Sequence, residues 1–278
     1  MIKLEVNCSE VPVEFFTFSG GEEQVKIDTS ALEKRIQVVE VFAHIKSSKE
    51  VMQLVLLTDA IRRLSDNGNV RYYLNMPYVP YARQDRVMEE GEALSIKAFS
   101  SIINGLKYDR VFVSDPHSDV TAAVLDNLAV QDQTACFFET MGDYIFTGGV
   151  DNNLVVAPDA GARKKAAKIA KCLGFNIIEA GKSRDVKTGQ ITGTEVYGDV
   201  SGKDCLIVDD IADGMATFIY LGEELKKRGA GKVVLFVTHG IFAKGIDIAL
   251  GKIDEIYCFN PWIENIEGRN VNNIYRTL

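Results

Sequence analysis

The stretch DCLIVDDIADGMAT, residues 204–217, decides the fold class. From Cys205 to Val208 it is apolar at every position, which reads as a strand buried on both faces. Two acids, a short loop of small residues and a helical pattern over 217–227 follow, with Gly229 as the stop. Strand, loop and helix in that order make half of a βαβ unit. The same rhythm recurs along the chain, with buried strands expected at 71–76 (RYYLNM), 110–114 (RVFVS), 153–157 (NLVVA) and 232–238 (KVVLFVT). Helical spacing runs over 49–64, where Met52, Val55, Leu56, Ala60 and Leu64 share a face, and over 162–173. Alternation of this kind predicts an α/β chain with mostly parallel sheets and right-handed crossovers. A weak region at 131–153, holding Gly142, Gly148 and Gly149, is the expected passage between two halves, and the absence of a short-period repeat excludes a solenoid. Residues 89–92 and 182–193 read as surface loops.

Composition bounds the function. With 278 residues, 46% hydrophobic and 25% charged, the chain can bury a substantial core and is not a disordered one. Its formal net charge of −8 gives it no overall attraction to nucleic acid or anionic membrane, so an anionic ligand must be met by a local cluster. No apolar run is long enough to span a bilayer, and the start, MIKLEVNCSEVPVEFF, lacks a signal peptide's continuous apolar stretch. Five scattered cysteines (Cys8, Cys136, Cys172, Cys205, Cys258) without a C-x-x-C pair read as reduced thiols, which predicts a cytoplasmic protein.

Five segments carry chemistry. At 205–217 the strand end, small residues and helix start make an anion site, because free N–H groups and the helix dipole point at it. Asp209 and Asp210 suit sugar hydroxyls or a metal; alternatively Asp213 caps the helix and the acids are solvated. NMPYVPYARQDR (75–86) displays Arg83, Gln84, Asp85 and Arg86 from a loop stiffened by two prolines and two tyrosines, and guanidinium groups suit a polyphosphate. SDPHSD (114–119) sets His117 at a strand end between acids, where it is a candidate metal ligand. In VVAPDAGARKKAAKIA (155–170), Asp159 is placed for a divalent cation or as a helix cap. AGKSRD (180–185) brings Lys182 and Arg184, two residues apart in an extended loop, to one side. Neither G-x-x-x-x-G-K-[ST] nor G-x-G-x-x-G occurs, so a nucleotide would be held without the usual phosphate loops.

Taken together, FSGGE (18–22), PYVPYARQDR (77–86), DPH (115–117), PDAGARKKA (158–166), KSR (182–184), VDDIADGMAT (208–217) and THGIF (238–242) resemble the ribose-phosphate pyrophosphokinases, in order and over most of the chain. The resemblance implies two type I phosphoribosyltransferase-like domains, 1–140 with the ATP site and 141–278 with the ribose-phosphate site and catalytic loop, and a site between them. It implies Mg2+-dependent transfer of the β,γ-diphosphoryl group of ATP to the C1 hydroxyl of ribose 5-phosphate, releasing AMP. On that basis Phe18, Gly20, Gly21 and Glu22 would meet adenine from a neighbouring subunit, and Arg83, Gln84 and Asp85 would hold ATP. His117 and Asp159 would position magnesium. Lys182 and Arg184 would be catalytic, with Arg184 also at the ribose phosphate. Asp209 and Asp210 would hold ribose hydroxyls, and Asp213, Gly214, Met215, Ala216 and Thr217 would form the phosphate loop. Small-molecule partners and a homo-oligomer, dimer or hexamer, are implied.

Three departures from the family pattern bear on substrate. The loop usually reads D-T-x-G-T, whereas here it reads Asp213-Gly214-Met215-Ala216-Thr217, without the first hydroxyl and with an added methyl. A 5-substituted ribose such as ADP-ribose is therefore an alternative acceptor. The amino-terminal segment lacks the family's first glycine-bearing strand, and Gly20 stands where a polar residue is usual. The arginine-containing inhibitory stretch has no clear counterpart at 35–48, which predicts weak or absent inhibition by ADP at a second site. A non-catalytic synthetase-associated subunit is a third reading, opposed by retention of His117, Asp159, Lys182, Arg184 and the acid pair.

Overall fold

A computed structural model describes residues 1–65, 69–142, 146, 149–184 and 191–263. The chain divides into two compact units, Met1–Gln131 and Asp132–Leu278. The division falls ahead of residue 140 because the helix that follows it, α4 below, packs on the second sheet.

The first unit contains β1 (Ile2–Val6), β2 (Ser9–Val11), β3 (Val13–Thr17), β4 (Glu23–Ile27), β5 (Val38–Ala43), α1 (Ser48–Leu64), β6 (Arg71–Asn75), α2 (Ser95–Gly105), β7 (Arg110–Ser114), α3 (Asp119–Val124) and β8 (Leu128–Gln131). Its main sheet runs β2-β1-β5-β6-β7-β8, with β5 to β8 parallel and β1 and β2 antiparallel additions. The two-residue turn between β1 and β2 holds Asn7 and Cys8 at φ 49° and 66°, the left-handed pair that matches strand twist. Asn7 repays its conformation by accepting from the N–H groups of Gln37 and Val38. Strands β3 and β4 form a separate hairpin.

The strands at 71–75 and 110–114 were expected to be buried on both faces, and they alternate instead. Leu74, Val111 and Val113 pack with Leu54, Leu57 and Ile61 of α1 and with Ile96, Phe99 and Ile103 of α2. Arg71, Arg110 and Phe112, on the other face, are exposed, so the helices bury one side of this sheet.

The second unit contains α4 (Gln133–Met141), β9 (Asn153–Ala157), α5 (Arg163–Leu173), β10 (Asn176–Arg184), β11 (Ile191–Tyr197), β12 (Asp204–Ala212), α6 (Ala216–Lys227), β13 (Val233–Gly240) and β14 (Glu255–Pro261). The order is β11-β10-β9-β12-β13-β14, parallel except for the antiparallel edge strand β11. Here both faces are covered. Cys205 and Ile207 belong to one core layer with Leu221 and Leu225 of α6, while Leu206 and Val208 join Phe137 of α4 and Ile169 of α5 in the other. Hence the unbroken apolar run at 205–208. The Phe137 ring meets Phe236 edge-on at 5.0 Å, which ties α4 to this unit. From β9 the chain adds β10 on one side and, after β11, returns to add β12, β13 and β14 on the other. The β9/β12 junction is therefore a topological switch point, and ligands bind at the carboxyl ends beside such a point.

Candidate active site

The switch point collects acids. Asp159 follows β9, and its Oδ1 accepts from the Ala162 N–H at 3.1 Å, which fixes the turn into α5. Asp209 and Asp210 lie within β12, three and two residues before its end at Ala212. Consecutive strand positions face opposite layers, so Asp210 projects toward α5, where its Oδ2 lies 3.7 Å from Lys165 Nζ. Asp209 curls back, its Oδ1 accepting from the Asp210 N–H at 2.9 Å. Burial pushes the Asp209 carboxyl well above the usual carboxylate range, and the charges of Asp210 and Asp159 add to the effect. Sequence reasoning left Lys165 unassigned, although it lies inside PDAGARKKA; its meeting with Asp210 depends on how α5 crosses β12.

After β12 the chain turns through 213–215 into α6. Met215 adopts the left-handed conformation at φ 63°, with its side chain 2% exposed in the core. The cap position of α6 is held by Met215 rather than Asp213, and the Met215 side chain makes no cap hydrogen bond. The first turn of a helix presents the N–H groups and dipole that suit an anion. Behind it, the Ala212 carbonyl accepts from Ile241 and Phe242, and the Asp213 carbonyl accepts from Ala243, which binds the loop to the segment after β13. Gly240 is needed there, because a Cβ would collide with the Phe242 ring and reach Cys258 Sγ at 2.8 Å. Gly214 is different: nothing lies within 4 Å of a Cβ built on it, and its φ is outside the left-handed region. Ala216 and Thr217 open α6, the former exposed.

Lys182 and Arg184 were expected at the mouth of a loop over 182–193. They lie in β10 instead, paired with β11 as Lys182↔Thr194 and Arg184↔Ile191, with a register shift between Ser183 and Arg184. The remainder of that segment, 185–190, falls outside the described residues. Gly181, just before Lys182, lets the Tyr197 ring lie close, since a Cβ would meet its hydroxyl oxygen at 2.8 Å.

In the first unit, β6 and β7 are neighbours, and their carboxyl ends bring ARQDR and DPH together. The Ser114 N–H donates to the Pro77 carbonyl at 2.9 Å. Val79 and Ala82 anchor the turn in the core, and Tyr81, at φ 63°, lies 3.1 Å by its hydroxyl from Ser48 Oγ and packs against Phe99. Arg83 and Gln84 are thereby displayed on the surface. Asp85 turns inward: its side chain is 6% exposed and pairs with Arg86 Nε at 3.0 Å. Burial pushes its carboxyl up, but Ser118, Arg86 and His117 outweigh that and hold it below the usual range. Asp85 therefore fixes the turn, while Arg83 and Gln84 face outward. His117 is exposed beside it, following Asp115, which is 2% exposed at φ 40°.

The FSGGE turn joins β3 to β4. The Phe18 N–H donates to the Glu22 carbonyl, and Gly21, at φ 90°, donates back to the Phe18 carbonyl. Phe18 stands out, 51% exposed, with its ring edge-on to Phe16 at 5.3 Å. Nothing lies within 4 Å of a Cβ on Gly20, and Glu22 is exposed. Lys49 and Gln53 of α1 hold the hairpin through Glu23.

Among the described residues no three His, Cys, Asp or Glu side chains are grouped to hold a metal by themselves. His117 belongs to the first unit and Asp159 to the second. Among the described residues no helix is long and apolar enough to cross a membrane.

Residues 1–106 match the family model for the N-terminal domain of ribose phosphate pyrophosphokinase, and residues 185–275 match that for the phosphoribosyl synthetase-associated domain. The ribose-phosphate pyrophosphokinase of Pyrococcus furiosus is 36% identical over 250 residues, covering 89% of this chain and 85% of that protein. That of Thermococcus kodakarensis is 32% identical over 249 residues, with coverage of 89% and 85%. The crystal structure of phosphoribosylpyrophosphate synthetase from Mycobacterium smegmatis shares the fold, with a TM-score of 0.76, 23% identity and coverage of 97% of this chain and 88% of that one. This chain therefore belongs to the ribose-phosphate pyrophosphokinase family of diphosphotransferase enzymes.

Proposed function

We propose that this chain transfers the β,γ-diphosphoryl group of ATP to the C1 hydroxyl of ribose 5-phosphate, with Mg2+, releasing AMP. The observation that carries the reading is the start of α6, entered through Met215, which follows Asp209 and Asp210 at a sheet switch point. An anion bound there by loop amides sets a sugar's hydroxyls against carboxylates. Residues 213–217 take the 5-phosphate, and Asp209 and Asp210 orient the ribose. Arg83 and Gln84 hold the ATP phosphates, Phe18 and the glycines beside it receive adenine, and Asp85 positions the arginine-bearing turn. Lys182 and Arg184 stabilise charge on the transferred group.

The magnesium this reading implies fits the donors present. The Asp159 carboxylate is a hard oxygen ligand of the kind magnesium prefers, and Asp209 and Asp210 follow on the neighbouring strand β12. Asp159 in the second unit and His117 in the first are the proposed ligands, direct or through water. Such an ion, held chiefly by substrate phosphates, supplies neutralisation of the phosphoryl oxygens.

The open space at Gly214 favours a second acceptor, a ribose whose 5-phosphate continues into a larger group, as in ADP-ribose. AMP release from ATP and Mg2+, with ribose 5-phosphate and ADP-ribose tested separately, decides between them. Preference for ribose 5-phosphate supports the main reading. Preference for ADP-ribose transfers the assignment to that acceptor, and silence with both, from folded protein, refutes the two together.

A further inference from the structure

The amino-terminal ends of the first unit's strands carry a second concave surface. A cavity of about 500 Å³ is lined by Arg71, Tyr73, Asp109, Arg110 and Asn127. Arg71 and Arg110 open β6 and β7, Tyr73 is the register partner of Arg110, and Arg71 shares its strand face. Four strand steps of ~3.3 Å separate Arg71 from Asn75, so this surface lies roughly 13 Å from the end where the ARQDR turn begins.

The walls are fixed in advance. Asp109 Oδ2 accepts from the Tyr72 N–H at 2.8 Å, and its Oδ1 lies 3.6 Å from Arg71 Nη1. Asn127, left-handed at φ 54°, donates through Nδ2 to the Tyr108 carbonyl at 2.9 Å. The Tyr73 ring sits edge-on to Phe112 at 6.1 Å. An ordinary use for arginines at this end of a sheet is to neutralise the carbonyls of incoming helices. That need is met by Arg62, whose Nη2 donates to the Leu106 and Lys107 carbonyls at 2.8 and 2.7 Å. Among the described residues no hydrogen bond or ion pair engages the Arg110 guanidinium.

We infer that this cavity binds a small phosphate monoester whose organic part carries hydroxyl groups. Two guanidinium groups on one face of a chain of net charge −8 make a local anion site, and guanidinium pairs phosphate oxygens two at a time. The volume lies in the ~300–1,000 Å³ range of small-molecule sites and far exceeds one phosphate. Asp109, Asn127 and Tyr73 line it with acceptors and donors rather than apolar surface, which selects a polyol or sugar over a lipid tail.

The test is calorimetric titration of the full chain with glycerol 3-phosphate, and separately with inorganic phosphate. Wild type is compared with Arg71→Ala/Arg110→Ala, with Arg110→Gln and with Gly214→Asp. The last places a carboxylate at the proposed phosphate loop, so it tests that loop separately. The inference predicts a binding event that survives Gly214→Asp, takes glycerol 3-phosphate more tightly than phosphate, and weakens by about tenfold or more in both arginine variants. Arg110→Gln breaks no described hydrogen bond or ion pair, and an unchanged thermal unfolding midpoint separates its loss of binding from misfolding. Isotherms unchanged by Arg110→Gln, or abolished by Gly214→Asp alone, overturn the inference.

Discussion

Replacing Gly214 by threonine probes the phosphate loop where this chain departs from its family's pattern. The structure accommodates the change: a Cβ there meets nothing within 4 Å, and the backbone is outside the left-handed region that penalises side chains. Stability should therefore change by less than about 0.5 kcal/mol, the ordinary range for an unobstructed surface position. The new hydroxyl lies in the loop that leads into the start of α6, and a hydrogen bond to a charged group is worth about 1.5 kcal/mol or more. At about 1.4 kcal/mol per factor of ten, KM for ribose 5-phosphate should fall about tenfold. The assay is AMP release at saturating ATP and Mg2+ over a range of ribose 5-phosphate, with thermal unfolding as the control. An unchanged or raised KM in a variant of unchanged stability would refute the placement of the 5-phosphate over residues 213–217.

Three further outcomes are expected. Asp209→Asn should raise Tm at about pH 8 while abolishing activity, because the folded carboxyl titrates above its value of 3.8 in the free chain. The unfolded chain then holds fewer protons than the native one between those values, so the native Asp209 destabilises increasingly as pH rises; the gain from Asn should shrink toward about pH 4. Scanning calorimetry without magnesium at the two pH values measures it, and a lower Tm for the variant at the higher pH would contradict the assignment. Gly240→Ala should cost about 1–3 kcal/mol through collision with Phe242, seen as a lower urea midpoint with an unchanged slope. Lys182→Ala should lower kcat by about 10²–10³ with little change in Tm, and an unaffected kcat would remove Lys182 from the chemistry.

The second unit was legible in the sequence because its central strands are buried on both faces. NLVVA and VVLFVTHG carry apolar residues through nearly every position, so no periodicity was needed to find them. In the first unit the strands alternate, and the same reading overstates their burial: Arg110 and Phe112 lie on the face that the helices leave uncovered. Lys182 and Arg184 were assigned to a loop because 182–193 carries little apolar content; the strand signal lies in their partner ITGTEVY, rich in β-branched residues, which pairs back onto them. Asp213 looked like a helix cap by its spacing, yet the chain reaches α6 through a left-handed Met215 whose buried side chain sets the turn. The pairing of Asp210 with Lys165 was not legible, since it depends on how α5 crosses β12, and the inward turn of Asp85 depends on the local conformation of its own turn. Motif order along the chain was enough to name the family; which carboxylates meet was decided by the register of the sheet.

The central claim is diphosphoryl transfer, and 31P NMR of the reaction of this chain with ATP, Mg2+ and ribose 5-phosphate tests it most directly. The account predicts AMP together with a product bearing two phosphates at C1 and the original one at the 5-position. Formation of ADP with a singly phosphorylated C1, or release of inorganic phosphate without a C1 product, would contradict it.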